Sequence, residues 1–412
     1  MEKQDFIPVI LGTDNNAYGM ARSFHMEYGV KSYCVGKGRL FMTNLSKITT
    51  IEVVDQLDDP DQFPKIMINI AKKLQSKAKK LVLVASSDGY AELVIRNKKA
   101  LAPYYELPFV DPELIDELLY KDKFYQLCEK HGLDYPATAF VTKDNYKSFQ
   151  NPFSFPIALK PADSIQYLEA SFPGKKKAYI LQNEEELQKV LERIYSSTYQ
   201  GTMIVQDFIP GDDSNMRVLN AYVDQNSKVR MMCLGRPLLE DCTPSLIGNY
   251  VAIVNEYNEH IYKQFQHFLE AIGYKGLANF DMKYDARDGK YKVFEINLRQ
   301  GRSSFFTTGS GYNLGKFVAE DLVYGKKSPV VYAKTEHLWL GVSKKVALKY
   351  VEDPDSVNYM KKLIKEKKYC TTLEYEKDTS IKRSWYIHKY YKDYEKRFDQ
   401  YFERKDRINA SR

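Results

Sequence analysis

The first third of the chain alternates short apolar runs with polar turns and amphipathic stretches. The runs Ile7–Leu11 and Leu81–Ala85 are each followed by a polar turn, Thr13–Asn16 in the first case, and then by a predicted helix. Apolar runs bounded by turns predict buried strands, and strands that alternate with helices predict a parallel α/β domain. Ligands of such domains bind at the carboxyl ends of the strands. The spacing of Gly12 and Gly19 does not match GxGxxG, so the pattern does not indicate a dinucleotide-binding fold.

Beyond this region the pattern indicates a boundary near residues 108–120. A helix is predicted from Asp122 to His131, with Asp122 as its N-cap and Gly132 as its stop. Strands and helices continue to about residue 330, and the tail from Trp339 onward is predicted to be mainly helical. We therefore expect three segments, with these bounds: an N-terminal parallel-sheet domain 1–118, a central domain 119–330, and a basic, mainly helical segment 331–412.

The composition is that of a globular protein of two or three domains, with 412 residues, 44% hydrophobic and 28% charged. The N-terminus lacks the apolar region of a signal peptide, and the apolar runs are far shorter than a membrane span, so we expect a cytoplasmic protein. The five cysteines form no CxxC pair. They are predicted to be reduced and mostly buried, without a disulfide framework or a zinc site.

The net charge of +7 is placed unevenly. Residues 331–412 contain 20 Lys and Arg against 13 Asp and Glu, whereas residues 1–330 contain 41 of each kind. The excess positive charge therefore lies in the last fifth of the chain.

The stretch from Asn279 to Gly301 carries the most informative chemistry. Asp288-Gly289 predicts a hairpin turn between two strands of alternating character. Folding the hairpin there places Asp281 opposite Glu295, at a Cβ separation of roughly 5 Å. Two carboxylates at that distance repel unless a cation lies between them. Side chains alternate between the two faces of a strand, so Glu295, Asn297 and Arg299 of the second strand share one face.

An oxygen-rich set of Asp281, Glu295 and Asn297 suits Mg²⁺, which binds a few protein oxygens together with phosphate oxygens. Arg299, two residues further along, is placed to bind the same phosphate. A surface hairpin with solvated charges is the alternative interpretation.

Two lysines and one linker are further candidates for binding an anionic nucleotide. Lys160 ends an apolar strand just before a proline, and Lys123 lies in the first turn of a helix, where a cation opposes the helix dipole. Both placements are explained by an anionic partner, although a surface lysine is the more common case for each alone. The run from Met203 to Asp213 predicts a strand, a short linker and a Pro-Gly turn, whose backbone can read an adenine edge.

The order of these pieces resembles the ATP-grasp superfamily from about Lys121 to Gly301. The resemblance implies an α/β (α+β) ATP-grasp fold, ATP and two Mg²⁺ ions as cofactors, and a mobile loop at 162–177. It also implies roles for individual residues. Phosphate is bound by Lys123 and Lys160, and the adenine hinge is formed by Gln206, Asp207, Phe208 and Ile209. The ribose is bound by Asp213 (or Asp212), magnesium is held by Asp281, Glu295 and Asn297, and the transferring phosphate is stabilised by Arg299. Lys160 and Arg299 would be the catalytic cations.

Within that superfamily the chain is most similar to the D-aspartate ligases of Gram-positive cell-wall synthesis. Similar stretches, which span nearly the whole chain, are Ile10–Phe24, Ser87–Leu93, Val205–Arg217 and Phe294–Phe306. The resemblance implies that the β-carboxyl of D-aspartate is activated by ATP and joined to the lysine ε-amine of a UDP-MurNAc-pentapeptide. Arg302, Arg217 and Arg236 are candidates for binding the amino acid's carboxylate, with Arg302 favoured. An ATP-grasp ligase with another amino acid or acceptor, and a non-catalytic nucleotide- or polymer-binding protein, are the competing interpretations.

The basic tail carries apolar residues at roughly helical spacing, with cations between them. The apolar positions are Trp385, Ile387, Tyr391, Tyr394, Phe398 and Tyr401, and the cations are Lys389, Lys392, Lys396 and Arg397. The pattern predicts a helix packed on the body with a solvated cationic face. The same face is suited to steering an anionic muropeptide, or to peripheral contact with an anionic membrane surface, whereas a nucleic-acid partner is not expected.

Overall fold

The structure is a computed structural model that describes residues 3–162, 167, 169–176, 178–244 and 246–410, the last eight by their backbone only. The chain divides into two compact units. Unit 1 contains residues 1–115, 213–280 and 297–412, and unit 2 contains residues 116–212 and 281–296. The boundaries at 118/119 and 330/331, which come from the sequence pattern and the family resemblance, stay a prediction.

The described residues form a mixed α/β fold. The strands are β1 Gln4–Leu11, β2 Ser32–Gly36, β3 Thr49–Val53, β4 Ala78–Ala85, β5 Thr138–Val141, β6 Ile157–Pro161, β7 Tyr179–Leu181, β8 Met203–Asp207, β9 Met216–Val223, β10 Val229–Glu240, β11 Tyr250–Glu256, β12 Gly276–Asp285, β13 Lys290–Asn297, β14 Val331–Tyr332, β15 Leu338–Leu340 and β16 Tyr369–Thr371. The α-helices are α1 Asn15–Tyr28, α2 Phe41–Asn44, α3 Phe63–Leu74, α4 Asp88–Arg96, α5 Lys98–Leu101, α6 Pro112–Leu119, α7 Lys121–Lys130, α8 Glu184–Tyr195, α9 Glu259–Ala271, α10 Phe305–Gly309, α11 Leu314–Leu322, α12 Lys344–Tyr350, α13 Pro354–Lys365 and α14 Ile381–Ala410.

The first sheet of unit 1 confirms the predicted parallel α/β domain. Its strands lie in the order β3-β2-β1-β4, and all its neighbours run parallel. The side chain of Asp14 caps α1 by accepting a hydrogen bond from the Ala17 N–H, and Gly29 ends the helix in the left-handed conformation. The polar residues Thr13–Asn16 and Ser86–Asp88 therefore follow the carboxyl ends of β1 and β4, where parallel sheets present ligand-binding groups.

The second sheet has eight strands, with β13-β12-β9-β10-β11-β15-β16 in order and β14 paired to β10. Its last two strands come from the tail, which the sequence pattern assigned mainly to helices. Trp339 lies in β15 and is buried because that strand pairs with β11 and contributes to the core. The helices α12, α13 and α14 confirm the helical character of most of the tail.

The third sheet belongs to unit 2 and has the order β5-β8-β6-β7, with antiparallel pairs throughout. Helix α8 buries Leu187, Leu191 and Ile194 against this sheet in a single apolar core. The strands β6 and β8, which carry the predicted phosphate lysine and the hinge, lie next to each other at the centre of the sheet.

Helix α7 begins one residue earlier than the sequence predicts. Its N-cap is Tyr120, whose side chain makes no capping hydrogen bond, and Asp122 lies in the first turn instead of at the cap. The helix ends at Lys130, before Gly132, whose φ of 73° permits the turn that follows. The one-residue shift places Lys121 at the start of the helix, where it becomes part of the candidate site.

Helix α14 packs on unit 1 through only part of the predicted apolar stripe. Tyr394 and Phe398 are buried, but Trp385 is 57% exposed, so its assignment to the packed face was wrong. The inward position near the start of the helix is taken by Arg383, which is 1% exposed, stacks on Tyr18 and donates a hydrogen bond to the Met42 carbonyl. The buried Asp378 lies 3.4 Å from the Arg383 guanidinium and supplies the charge that makes this burial tolerable.

All five cysteines are free, and four of them are buried, as predicted. Among the helices that the structure describes, none is both long enough and apolar enough to cross a membrane.

Candidate active site

The centre of the candidate site in unit 2 is an ion pair between Lys121 and Glu295. The ammonium of Lys121 lies 2.7 Å from a carboxylate oxygen of Glu295, and the lysine side chain is only 10% exposed. The Asp281 carboxylate acts on the same ammonium. The protein itself therefore supplies a cation that contacts Glu295 and that Asp281 stabilises more weakly, while the pairing register of the two carboxylates stays a prediction.

The ionisation of Lys121 is set by two opposing effects. Burial by itself lowers the pKa of this ammonium, because a charged group loses its hydration. The charge and hydrogen bond of Glu295, together with Tyr125 and Asp281, outweigh that effect, and the pKa ends above its ordinary value. Lys121 is therefore a permanent cation of this site.

The two predicted phosphate lysines occupy different environments within unit 2. Lys160 is half-buried at the end of β6, and its ammonium lies 5.0 Å from the centroid of the Phe294 ring. Phe294 is next to Glu295 on β13, so Lys160 is close to the strand that carries the predicted metal ligand. Lys123 points outward, with a side chain that is 42% exposed and a loose 3.7 Å pair with Glu117.

Hydrogen bonds within unit 2 hold the predicted adenine hinge in place. Gln206 is buried, and its amide donates to the hydroxyls of Tyr125 and Thr138. Its side chain is therefore occupied within the protein, which leaves the backbone as the part of the hinge that can read a base. The Asp207 backbone N–H donates to the Ala137 carbonyl, and Ile209 is buried.

The β12–β13 hairpin clamps this hinge. The Arg287 guanidinium binds both carboxylate oxygens of Asp207, at 3.2 and 2.6 Å. The ammonium of Lys283 donates to the Gly211 carbonyl at 2.6 Å and lies over the Phe208 ring. Hinge and hairpin are thus held together by side chains that sequence patterns alone did not single out.

The buried carboxylate of Asp285 anchors the clamp. It accepts hydrogen bonds from the Arg287 guanidinium and from the Lys292 ammonium at 2.7 Å. The bond from Arg287, followed by that from Lys292, holds the pKa of this carboxyl far below its usual range although burial opposes the shift. Arg287 is fixed by Asp285 and in turn fixes Asp207.

A second group of candidate residues lies in unit 1, near the carboxyl ends of β1 and β4. One guanidinium nitrogen of Arg299 lies 2.6 Å from Asp88, and another donates to the Gln300 carbonyl. Its Nε is buried and has no hydrogen-bond partner among the described residues. Burial raises the pKa of the Asp14 carboxyl, while the bond from the Ala17 N–H and the charges of Arg302 and Arg299 oppose that rise. The charges of Arg299 and Arg302 therefore both stabilise the ionised form of Asp14, the first carboxylate after β1.

The other predicted substrate arginine, Arg217, is already engaged by protein groups in unit 1. It binds the Glu256 carboxylate with two nitrogens, each at 3.0 Å, and also donates to the carbonyls of Ser214 and Met216. Arg236 lies 3.6 Å from the same Glu256. The predicted ribose residue Asp213 begins the short 3₁₀ turn that Arg217 holds by the Ser214 carbonyl, and it is half-buried, whereas Asp212 is exposed.

The residues around Glu295 fit a divalent cation. Asp281 and Glu295 of unit 2 offer carboxylate oxygens, the ligands that Mg²⁺ prefers, and the Lys121 ammonium shows that this place already accommodates a positive charge. Among the described residues, no three His, Cys, Asp or Glu side chains form a metal cluster. Of the predicted loop at 162–177, residues 163–166, 168 and 177 lie outside the described residues.

Comparison with known proteins gives both a relative and a fold. The chain is 49% identical over 417 residues to a D-aspartate ligase of Enterococcus faecium, and the alignment covers 98% of this chain and 99% of the relative. It resembles N5-carboxyaminoimidazole synthetase of Staphylococcus aureus, with a TM-score of 0.61, 13% identity and 87% coverage of each chain. It also resembles the biotin carboxylase domain of the Hydrogenobacter thermophilus 2-oxoglutarate carboxylase in complex with MgADP, with a TM-score of 0.57, 13% identity, and 80% and 72% coverage. No family model matches.

The identity to a D-aspartate ligase over nearly the whole chain, together with the fold, defines an ATP-grasp enzyme, which uses ATP to join a carboxylate to an amine. Among the solved structures with this fold are two that contain ADP. Since its relative is nearly half identical from end to end, the chain belongs to the D-aspartate ligase family.

Proposed function

We propose that this enzyme activates the β-carboxyl of D-aspartate and joins it to the lysine ε-amine of a UDP-MurNAc-pentapeptide in the cytoplasm. The observation that carries the proposal is the 49% identity to a D-aspartate ligase over 98% of the chain. A carboxylate oxygen of D-aspartate attacks the γ-phosphorus of ATP, the bond to the β,γ-bridging oxygen breaks, and ADP leaves. The amine then attacks the acyl carbon of the aspartyl phosphate, and loss of phosphate and a proton completes the amide. The product starts a peptidoglycan cross-bridge.

The first step brings two anions together, so the main task of the protein is to offset negative charge. We assign Lys160 and Lys123 to the phosphates and Arg299 to the phosphoryl group in transfer. Two Mg²⁺ ions held by Asp281, Glu295 and Asn297 supply further positive charge when bound. The buried Nε of Arg299, which has no hydrogen-bond partner in the part of the chain that the structure describes, supports its assignment, because a buried N–H that lacks a partner costs free energy unless a ligand engages it.

The nucleotide assignments rest on the hinge and on the turn that follows it. We assign adenine recognition to the segment Gln206, Asp207, Phe208 and Ile209, and the ribose hydroxyls to Asp213. For the amino acid we keep Arg302 as the first candidate for the α-carboxylate and Arg217 as the second. Arg302 is favoured because Glu256 already engages Arg217 with two nitrogens.

The basic tail is assigned to capture of the anionic acceptor. On α14 the lysines Lys389, Lys392 and Lys396 are all exposed, so their charges act on the solution and on any anion that approaches. A UDP-linked muropeptide carries a diphosphate and several carboxylates, and a cationic surface raises the rate at which such a ligand is captured. The exposed Trp385 next to these lysines also suits peripheral contact with an anionic membrane surface.

The experiment that tests the proposal is ADP release from purified enzyme with D- and L-aspartate, each with and without UDP-MurNAc-pentapeptide. We expect release to require D-aspartate and to reach its full rate only with the acceptor. Glu295→Gln is the matched control, since it keeps the shape of the side chain and removes its charge, and turnover should fall about 10²-fold or more. Better turnover with an L-amino acid, or with a different acceptor, would overturn the proposal.

A further inference from the structure

Three buried side chains are joined to the predicted magnesium ligand Asn297 by a row of hydrogen bonds. The Nδ2 of Asn297 donates to the Oδ1 of Asn279 at 2.9 Å, and the Nδ2 of Asn279 donates to the Oδ1 of Asn220 at 3.2 Å. The Nδ2 of Asn220 then donates to the Thr307 hydroxyl at 3.1 Å. The three inner residues are at most 3% exposed. We call this row the amide relay; all four of its residues belong to unit 1.

The relay crosses neighbouring elements and is closely packed. Asn297, Asn279 and Asn220 come from the adjacent strands β13, β12 and β9, and Thr307 comes from α10. A Cβ at position 301 would lie 2.9 Å from the Asn279 amide carbon, so Gly301 is the residue that lets the chain pass beside the relay. Side chains buried this closely cannot exchange their hydrogen bonds for water, and each bond depends on the next.

The chemistry of a magnesium site demands one orientation of the Asn297 amide. Mg²⁺ binds oxygen and never an N–H donor, so the Oδ1 must face the metal and the Nδ2 must be turned away from it and bonded elsewhere. The relay provides that acceptor in Asn279. A hydroxyl can donate or accept, so reversing every bond would also satisfy the relay, but it would turn the Asn297 nitrogen toward the metal. The arrangement observed is the one compatible with magnesium.

We infer that Asn279, Asn220 and Thr307 are positioning residues that hold the Asn297 amide with its oxygen toward the metal. The inference rests on the proposed assignment of Asn297 as a magnesium ligand. None of the three inner residues needs to contact metal or nucleotide to act in this way. Partners behind a metal ligand commonly account for 10–100-fold in metal affinity.

The test measures binding of Mn²⁺, as a reporter for Mg²⁺, to the full-length protein with saturating ADP, from the paramagnetic resonance signal of free Mn²⁺. Asn279→Leu keeps the branched arrangement of heavy side-chain atoms but makes no hydrogen bond, and we expect its Kd for Mn²⁺ to rise about 10-fold or more. Thr307→Val removes only a hydroxyl at the far end of the relay and should weaken binding in the same direction. Thr307→Ser keeps the hydroxyl and should bind Mn²⁺ like the wild type.

The outcomes separate this inference from the proposed function. Wild-type affinity in both Asn279→Leu and Thr307→Val, with Glu295→Gln impaired, overturns the relay and leaves the metal site standing. Unchanged binding in Glu295→Gln as well overturns the metal assignment itself. If Asn279→Leu does not fold, the pair Thr307→Val and Thr307→Ser decides, because a merely structural role would lower Tm without a difference in metal affinity between them.

Discussion

Replacing Lys121 by methionine removes the cation that Asp281 and Glu295 share while keeping an unbranched side chain of similar length. In the wild type the charged hydrogen bond from Lys121 to Glu295 is 2.7 Å long. Bonds of this kind contribute about 1.5–3 kcal/mol. Because the carboxylate left behind is 46% exposed and can be rehydrated, we expect a loss near the lower end, about 2 kcal/mol. With an unfolding entropy of about 2.1 cal/mol/K per residue, this corresponds to roughly 2 °C in Tm if the whole chain unfolds together.

The same substitution should change the response to magnesium in the opposite direction. In the wild type a divalent cation must share Glu295 with Lys121 or displace it, so part of its binding energy is spent on that exchange. In Lys121→Met two carboxylates repel each other until a cation arrives. We therefore expect MgADP to raise Tm more in the variant than in the wild type, since the gain on binding adds to the stability of the folded state.

Lys123→Met is the matched control, two residues away on the same helix turn. Its side chain is 42% exposed and its pair with Glu117 is 3.7 Å long, so its contribution to stability is at most about 1 kcal/mol. We expect its Tm without ligands, measured by differential scanning calorimetry, to match that of the wild type. Equal Tm values for Lys121→Met and wild type, or an unchanged shift with MgADP, would refute the role given to Lys121.

Three further predictions concern separate parts of the chain. Lys160→Met should raise the KM for ATP or slow ADP release while Tm without ATP stays nearly constant, and a large loss of Tm with normal kinetics would make Lys160 structural. Burial lowers the pKa of His337 to about 4, so the unfolded chain binds a proton more readily than the folded one, and the contribution of His337 to the free energy of unfolding, present above pH 6.5, falls by roughly 3 kcal/mol between pH 6.5 and 4. In denaturant titrations, the free energy of unfolding of His337→Gln should therefore fall less over that range than that of the wild type. An equal fall in both proteins would contradict the role given to His337. Reversing Lys389, Lys392 and Lys396 to Glu should lower kcat/KM for the muropeptide, most at low salt, with little change in the KM for ATP; unchanged muropeptide kinetics at low ionic strength would leave α14 with a packing role only.

The sequence predicted those elements that a short pattern of apolar and polar residues specifies. The parallel domain follows from the apolar runs of β1 and β4, and both runs are strands in the structure. Lys121 was missed although a local signal existed: with Phe124, Tyr125 and Cys128 it completes an i, i+3, i+4, i+7 pattern, which places it on the buried face of α7. Lys123 was predicted instead, because a cation in the first turn opposes the helix dipole and because it matches the family's phosphate lysine.

Other features depend on contacts between residues far apart in the chain. The partners of Arg217 and Arg287 are fixed by strand pairing and by the hairpin, and no local pattern specifies that Glu256 or Asp207 will lie opposite them. Trp385 has the right spacing for the apolar face of α14, yet the structure turns it outward because Arg383 takes the inward position beside Asp378. Helical spacing identifies neighbours on a face, but it does not say which face the rest of the fold covers.

The protein groups that already pair with each buried arginine determine which arginine can bind an anionic ligand. Buried cations need a counter-charge before any substrate arrives, and an anionic ligand must compete with that charge. Arg217 contacts both carboxylate oxygens of the partly buried Glu256 and donates hydrogen bonds to two backbone carbonyls, so an anion would have to replace four interactions. The partner of Arg299 is Asp88, whose side chain is 53% exposed and can return to water when the guanidinium moves to a ligand. The pairing therefore favours Arg299 as the arginine that binds phosphate, whereas the bonds of Arg217 suit it to holding the turn that begins at Asp213.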